Sequence, residues 1–212
     1  MPKETNLKAY IGTFFIAAGT LALEVALTRL LSVITWYHLA FFAVSSAMLG
    51  MTAGATTVYL KPGWFVKSNI YRNISKACLA FSCSIPFMLI IICLLPLTLT
   101  KSLMVGFAFL IATITCTMPF YLSGIALTAI LTKSELPIGK VYASDLVGAA
   151  FGALVVLGFL EMFDSPDVIL LSASLGGLAA FSFIKDNDSV QLSRLSLLVT
   201  AGILILAFVN SL

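Results

Sequence analysis

Charged residues are scarce in this chain. Of its 212 residues only 12 are Lys or Arg and 9 are Asp or Glu, with a single histidine, whereas 60% are hydrophobic. A soluble domain is nearer a quarter charged and half apolar, and a soluble fold of this length could not bury so much apolar surface. The composition therefore excludes a water-soluble enzyme, a nucleic-acid-binding protein and a disordered chain.

Motifs of catalysis and of metal or phosphate binding are also missing. The sequence contains no phosphate loop, no HExxH, no dinucleotide-binding glycine motif and no nucleophile elbow. Its four cysteines lack CxxC spacing and have no neighbouring histidine, which favours small apolar residues, with a metal site or a disulfide as the alternative. We expect no catalytic residue, no metal and no cofactor, and an unfamiliar intramembrane enzyme ranks below the other functions considered.

Long apolar runs recur along the whole chain, and a helix needs about 20 such residues to cross a bilayer. We therefore predict an all-α polytopic transmembrane helix bundle, a single transmembrane domain over residues 1–212 that has the lipid bilayer as its partner. The seven predicted spans are Tyr10–Ile34, Tyr37–Leu60, Ala77–Leu97, Leu103–Leu131, Val141–Phe163, Val168–Ile184 and Leu195–Val209.

The basic residues predict the orientation of these spans. They gather in the N-terminal tail and in alternate connections, at Lys3, Lys8, Lys61, Lys67, Arg72, Lys76, Lys133, Lys140, Lys185 and Arg194. The connections on the other side contain only Lys101. Because Lys and Arg accumulate on the cytoplasmic side, we predict a cytoplasmic N-terminus and an outer C-terminus in the bacterial inner membrane.

Two pairs of segments look alike. Residues 24–32 (EVALTRLLS) resemble residues 124–132 (GIALTAILT), and residues 50–55 (GMTAGA) resemble residues 148–153 (GAAFGA). If each pair belongs to a repeated unit of three spans, the odd number of spans makes the second unit enter the membrane from the side opposite to the first. Many secondary transporters contain such an inverted repeat. This predicts inverted halves over residues 10–97 and 103–184 and an extra helix over 195–209; chance similarity in a chain rich in Ala, Leu and Gly is the alternative.

Small residues four apart line one face of spans two and five. They are Ser46, Gly50 and Gly54 in the first and Ser144, Gly148 and Gly152 in the second. This spacing lets a neighbouring backbone approach closely, so we predict helix packing at these positions.

Glu24 is the most informative polar residue because it falls inside the first span. A carboxylate in hydrocarbon is costly unless it is paired, hydrated or protonated. Thr28 lies one turn on, and Arg29, nearer the outer surface, is turned away from Glu24 on the helix. The residues predict either a site for a proton or a cation, or a structural ion pair between helices.

Other candidate residues lie near the predicted ends and midpoints of the spans. Tyr37 and His38 begin span two on the outer side, and His38 suits either proton transfer or packing. Tyr142 and Asp145 begin span five on the inner side, where the helix dipole also favours an acid.

Two spans carry a proline near the midplane, Pro86 in span three and Pro119 in span four. Proline bends a helix and frees a carbonyl oxygen. Beside Pro119, the side chains of Thr117 and Tyr121 form a polar stripe. The stripe would line a cavity next to a broken helix, or it would serve hydrogen bonding between helices.

Several of these motifs together resemble a known family. The segments 24–32, 37–41 (YHLAF), 49–55 (LGMTAGA), 119–124 (PFYLSG) and 142–150 (YASDLVGAA) are similar, in this order, to the membrane portion of the bacterial spermidine synthase-like proteins. In that family an aminopropyltransferase-like Rossmann domain commonly follows the membrane domain. These 212 residues contain no counterpart of it, so the resemblance implies a membrane domain and no role in polyamine synthesis for any residue here.

Two functions fit these observations. The first is a transporter-like core that binds or moves a small solute, with a cationic, polyamine-like solute as the working choice. The alternative is a non-catalytic anchor or scaffold, either a subunit of a larger complex or the partner of a separately encoded aminopropyltransferase-like enzyme, which would dock on the basic segment from Lys61 to Lys76.

Overall fold

The computed structural model describes residues 3–34, 39–65, 69–95, 103–184 and 190–210, and side chains from residue 6 onward. Within these ranges the chain is all helical and contains no strand. The helices are α1 (Lys3–Ile34), α2 (Ala40–Leu60), α3 (Ile70–Leu94), α4 (Leu103–Lys133), α5 (Ile138–Met162), α6 (Ser165–Ser182) and α7 (Val190–Asn210), with a short 3₁₀ turn over Pro62–Phe65 after α2. The predicted fold class is confirmed.

Several helices extend beyond the apolar spans that the sequence predicts. The first begins at Lys3 and not near Tyr10, and the third begins at Ile70 and not near Ala77. The added turns contain charged and amide residues such as Lys8, Asn73 and Lys76, which lower the local hydropathy and so leave these turns out of a predicted span. The apolar run therefore predicts the membrane-crossing part of each helix and underestimates its full length.

Both prolines lie inside helices that continue past them. Pro86 is within α3 and Pro119 is within α4, and neither helix is interrupted. Neither proline ends its helix, and the bends predicted at Pro86 and Pro119 stay predictions. The neighbouring helices supply the packing that keeps a membrane helix intact around a proline.

The bundle is built around α1 and α6, the most buried helices. Helix α1 packs against α5 and α6, helix α2 against α4, and helix α3 against α4 and α6, while α7 packs mainly on α6. The starts of α1, α3, α5 and α7 thus meet at one end of the bundle, called here the N-terminal end. The connection between α5 and α6 lies at the opposite end.

Glycines form the closest contacts, in two parallel helix pairs. On α5, Gly148 lies against Phe14 and Gly152 against Ala18; on α2, Gly50 lies against Thr117 and Gly54 against Tyr121. A Cβ added at any of the four would lie less than 3.0 Å from a backbone carbonyl oxygen. The predicted packing positions are thus points of backbone contact, with α1 beside α5 and α2 beside α4.

The two serines of the predicted packing stripes also face protein. Ser46 of α2 is buried. Ser144 of α5 donates a hydrogen bond to the carbonyl oxygen of Tyr10 at 2.6 Å, one turn before the contact of Gly148 with Phe14. The small-residue stripe of α5 therefore follows α1 with a constant register over about two turns.

Helices α3 and α6 are joined by two buried hydrogen bonds. Ser75 donates to the carbonyl oxygen of Ala180 at 2.7 Å, and Ser82 donates to that of Ala173 at 2.6 Å. These bonds satisfy both hydroxyl groups inside the apolar bundle, where an unpaired polar group is costly. They also establish that the two helices run antiparallel.

The outer surface of the bundle is apolar along its length. Large side chains near the middle of the spans are exposed, including Leu154 (72%) on α5 and Ile205 (63%) on α7. A soluble protein rarely exposes so continuous an apolar surface, and all seven helices are long and apolar enough to cross a bilayer. The chain is an integral membrane protein whose outer surface contacts lipid.

Candidate functional site

Glu24 lies on a stripe of α1 that faces the protein and not the lipid. The residues that share this face, Thr13, Ala17, Thr20 and Leu31, are all buried. Other faces of α1 contact α5, through Phe14 and Ala18, and α6, through Gly12 and Gly19. Since α1 also contacts α2 and α4, the stripe of Glu24 is directed toward these two helices, in the interior of the bundle.

The depth of Glu24 places it within the hydrocarbon. The apolar part of α1 runs from Asn6 to Ile34, and Glu24 is four residues past its midpoint, or about 6 Å at the rise of a helix. The hydrocarbon core extends about 15 Å on either side of its midplane. The side chain is half-buried, and within the described residues its carboxylate has no hydrogen bond or ion pair.

The neighbours of Glu24 on α1 do not neutralise it. Thr28 donates its hydroxyl to the backbone carbonyl oxygen of Glu24 at 2.7 Å and not to the carboxylate. Arg29 is exposed, about one turn closer to the end of the helix. The structural interpretation of Glu24 as half of an ion pair therefore has no support among the described residues.

A cavity opens just beyond Arg29, at the end of the bundle opposite the N-terminal end. It has a volume of about 660 Å³ and lies among the last turns of α1 and α7 and the connection between α5 and α6. Its charged lining consists of Arg29 and three acids, Glu161, Asp164 and Asp167. The volume is in the range of small-molecule sites, and acids outnumber cations in its wall.

Asp167 is the most buried carboxylate of this cavity. It is 4% exposed, in the first turn of α6, and it accepts a hydrogen bond of 2.5 Å from the amide of Asn210 on α7. None of Glu161, Asp164 and Asp167 is among the site residues selected from the sequence. The burial of Asp167 depends on the last turn of α7, 43 residues later, so no local signal could reveal it.

Asp145 lies far from Glu24. Three contacts, Tyr10 with Ser144, Phe14 with Gly148 and Ala18 with Gly152, give the parallel helices α1 and α5 one constant register. This register places Asp145 level with residue 11 of α1, thirteen residues and about 20 Å from Glu24 along the axis. The two acids cannot share one ligand, and they lie toward opposite ends of the bundle.

Tyr142 is exposed at the start of α5, and Asp145 is half-buried one turn further on. A tyrosine at this position is typical of a membrane–water interface. Because it lies one turn before Asp145, Tyr142 is even further from Glu24 along the helix axes.

The polar stripe of α4 lies at its interface with α2. The hydroxyl groups of Tyr121 and Thr57 are 3.2 Å apart, and Thr57 also donates to the carbonyl oxygen of Ala53. Tyr121 is therefore the donor in the bond between the two helices. Thr117, one turn earlier, has a buried hydroxyl oxygen without a hydrogen-bond partner among the described residues.

The remaining candidates give no further site. Tyr37 and His38 lie outside the described residues. Among the residues that the structure describes, no three His, Cys, Asp or Glu side chains form a group that could hold a metal ion, and the four cysteines are free. No protein-family model, curated protein or solved structure matches the chain in comparisons with known proteins.

Proposed function

We propose that the chain is a transporter-like protein that binds and moves a small cationic solute, and that α1–α3 and α4–α6 form an inverted repeat to which α7 is added. The observation that carries the proposal is a symmetry of contacts. In such a repeat α1 corresponds to α4, α2 to α5, and α3 to α6. The contact of α1 with α5 then corresponds to that of α4 with α2. In the same way, the contact of α1 with α6 corresponds to that of α4 with α3. All four pairs are in close contact.

Individual residues support the same exchange. Gly148 and Gly152 follow Gly50 and Gly54 by 98 residues, and each glycine contacts a backbone carbonyl of its parallel partner helix. The same shift of 98 residues relates the two hydrogen bonds between α3 and α6. It makes Ala173 the counterpart of Ser75, and Ala180 the counterpart of Ser82. The bond of Ser75 with Ala180 therefore corresponds to the bond of Ser82 with Ala173.

The repeat is inverted because of the direction of its helices. A short connection joins α1 to α2, so these two helices are antiparallel, and α2 is parallel to α4. Helix α4 therefore crosses the membrane in the direction opposite to α1. Inverted repeats of this kind form the two moving halves of many secondary transporters, with the solute bound between them.

Acidic side chains favour a cation as the solute. Glu24 lies in the interior without a partner among the described residues, and the cavity at the end of α1 contains three carboxylates beside one arginine. Arg29 in the cavity wall is five residues, or about 7.5 Å, from Glu24 along α1. In this proposal the cavity is the entrance for the solute, and Glu24 is a binding group deeper in the membrane. A polyamine suits both places because its positive charges attract carboxylates.

The basic residues support the orientation of this transporter. At the N-terminal end of the bundle the structure describes Lys61, Arg72, Lys76, Lys133 and Lys140 as exposed or half-exposed. The positive-inside rule places this end in the cytoplasm. The acidic cavity then opens to the outer side of a bacterial inner membrane.

Uptake by the purified protein in liposomes tests the proposal. We expect liposomes that contain the protein to exchange labelled spermidine against internal spermidine faster than empty liposomes do. Unlabelled putrescine should compete, whereas glutamate should not, because the acidic cavity and Glu24 repel an anion. Absence of spermidine binding and exchange, together with a stoichiometric protein partner after gentle extraction, would instead favour the anchor function.

A further inference from the structure

A second cavity lies at the N-terminal end of the bundle and is not used by the proposed transport. It has a volume of about 520 Å³, beside the connection of α2 with α3. Its wall includes Trp64, Phe65, Asn69, Asn73, Lys76 and Ile125. The cavity thus combines the 3₁₀ turn, the first two turns of α3 and one residue of α4.

One side of this cavity is polar and positively charged. Its lining residues include Lys76, Asn69 and Asn73, and no acid is among them. The structure gives Lys76 no carboxylate partner within the described residues. An ammonium group beside amide donors suits a phosphate oxygen, which accepts charge-assisted hydrogen bonds.

The other side of the cavity is apolar. Phe65 is buried, Trp64 has its indole ring at the end of the membrane-spanning helices, and Ile125 lies inside the span of α4. A ligand that fills the whole cavity therefore has an anionic part and an apolar part. A free phosphate ion or an acidic protein surface would leave the apolar side unused.

Trp64 is fixed in place by two contacts. Its carbonyl oxygen accepts a hydrogen bond from the side-chain amide of Asn73, and the ammonium nitrogen of Lys61 lies 4.3 Å from the centroid of its ring. The cation over the ring adds a second positive charge beside the cavity. Tryptophan prefers the headgroup level of the bilayer, so the cavity lies where lipid headgroups are.

We propose that this cavity binds the headgroup of an anionic phospholipid, with Lys76 and the two asparagines at the phosphate and the start of an acyl chain against Ile125. Basic sites between helices at the cytoplasmic level of a membrane select anionic lipids in this way. The site is independent of Glu24 and of the acidic cavity, which lies at the other end of the bundle.

Native mass spectrometry of the purified full chain tests this site. Phosphatidylglycerol and phosphatidylcholine with identical acyl chains are supplied as probes, and we expect preferential retention of phosphatidylglycerol. Lys76→Gln should reduce this preference about five-fold, the effect of about 1 kcal/mol for one cation near a membrane surface, while Lys76→Arg should keep most of it. Lys76 is exposed, so neither change should prevent folding.

Lys140→Gln is the matched control, since Lys140 is an exposed lysine at the same end of the bundle but outside the cavity. Equal retention of the two lipids by the parent chain, or an equal loss in Lys76→Gln and Lys140→Gln, would contradict the proposal. So would displacement of phosphatidylglycerol by millimolar inorganic phosphate, which would indicate a site for soluble anions. A soluble protein that is lost from the chain only in Lys76→Gln would indicate a docking site instead.

Discussion

Gly152→Leu should strongly destabilise the folded protein, whereas Gly158→Leu on the same helix should not. A Cβ at Gly152 would lie less than 3.0 Å from backbone atoms of Ala18, while a Cβ at Gly158 meets nothing within 4 Å. Backbone cannot move aside as a flexible side chain can, so overpacking should cost about 3 kcal/mol or more at Gly152. A typical stability is only about 5–15 kcal/mol, which makes this a large loss.

Thermal unfolding in detergent measures this difference. The fraction of monodisperse protein after heating is compared for the parent chain, Gly152→Leu and Gly158→Leu at equal membrane expression. Gly54→Leu should resemble Gly152→Leu, because Gly54 makes the corresponding contact with the carbonyl oxygen of Tyr121. Equal unfolding temperatures for the two α5 variants would contradict the parallel packing of α5 on α1.

Glu24→Gln should lower spermidine exchange about tenfold or more, a loss of at least about 1.4 kcal/mol in binding, without lowering the amount of folded protein. Glutamine has nearly the same volume as glutamate. Because the carboxylate of Glu24 has no ion-pair partner among the described residues, its replacement leaves no buried cation unpaired. The substitution removes the negative charge that would attract a cation within the hydrocarbon.

Exchange assays in liposomes, normalised to reconstituted protein, check this expectation. Glu135→Gln is the control, since Glu135 is an exposed acid in the connection between α4 and α5. Binding and exchange that remain unchanged in Glu24→Gln would remove Glu24 from the solute path. A loss of folded protein with normal activity per molecule would assign Glu24 a structural role.

Much of the architecture could be predicted from the sequence because the bilayer requires it. Apolar runs of sufficient length predict the seven helices, and small residues at Gly50, Gly54, Gly148 and Gly152 predict where backbones meet. The choice of partner helix is not local information. Nothing in the sequence of α5 indicates that it packs beside α1, four helices earlier.

The register of the proposed repeat differs from the one that the similar segments of the sequence indicate. Residues 24–32 and 124–132 match at a shift of 100 residues, but the packing makes Thr117 the counterpart of Phe14 and Tyr121 that of Ala18, a shift of 103. The sequence similarity depends on Ala, Leu and Thr, which are common throughout the chain. The register of the packed helices depends on where each glycine lies against a backbone carbonyl of the neighbouring helix. About one helical turn separates the two alignments.

The cavity of Asp167 was missed for a similar reason. In the sequence, Asp164 and Asp167 belong to a short polar turn at the start of α6, where acids are favoured by the helix dipole. In the structure Asp167 is buried, and its carboxylate accepts a hydrogen bond from Asn210 at the end of α7. Glu24 was identifiable without the structure because an acid in a long apolar span is unusual wherever its neighbours lie.

The sidedness of α1 and α4 tests the inverted repeat most directly. Single cysteines are introduced at Leu7 and at Met104, which are exposed near the starts of these helices, after the exposed Cys83 and Cys93 are replaced by serine. We expect a membrane-impermeant maleimide to label the cysteine at position 104 in intact cells, and the cysteine at position 7 only after permeabilisation. Labelling of both positions from the same side would contradict the inverted repeat and the transporter built on it.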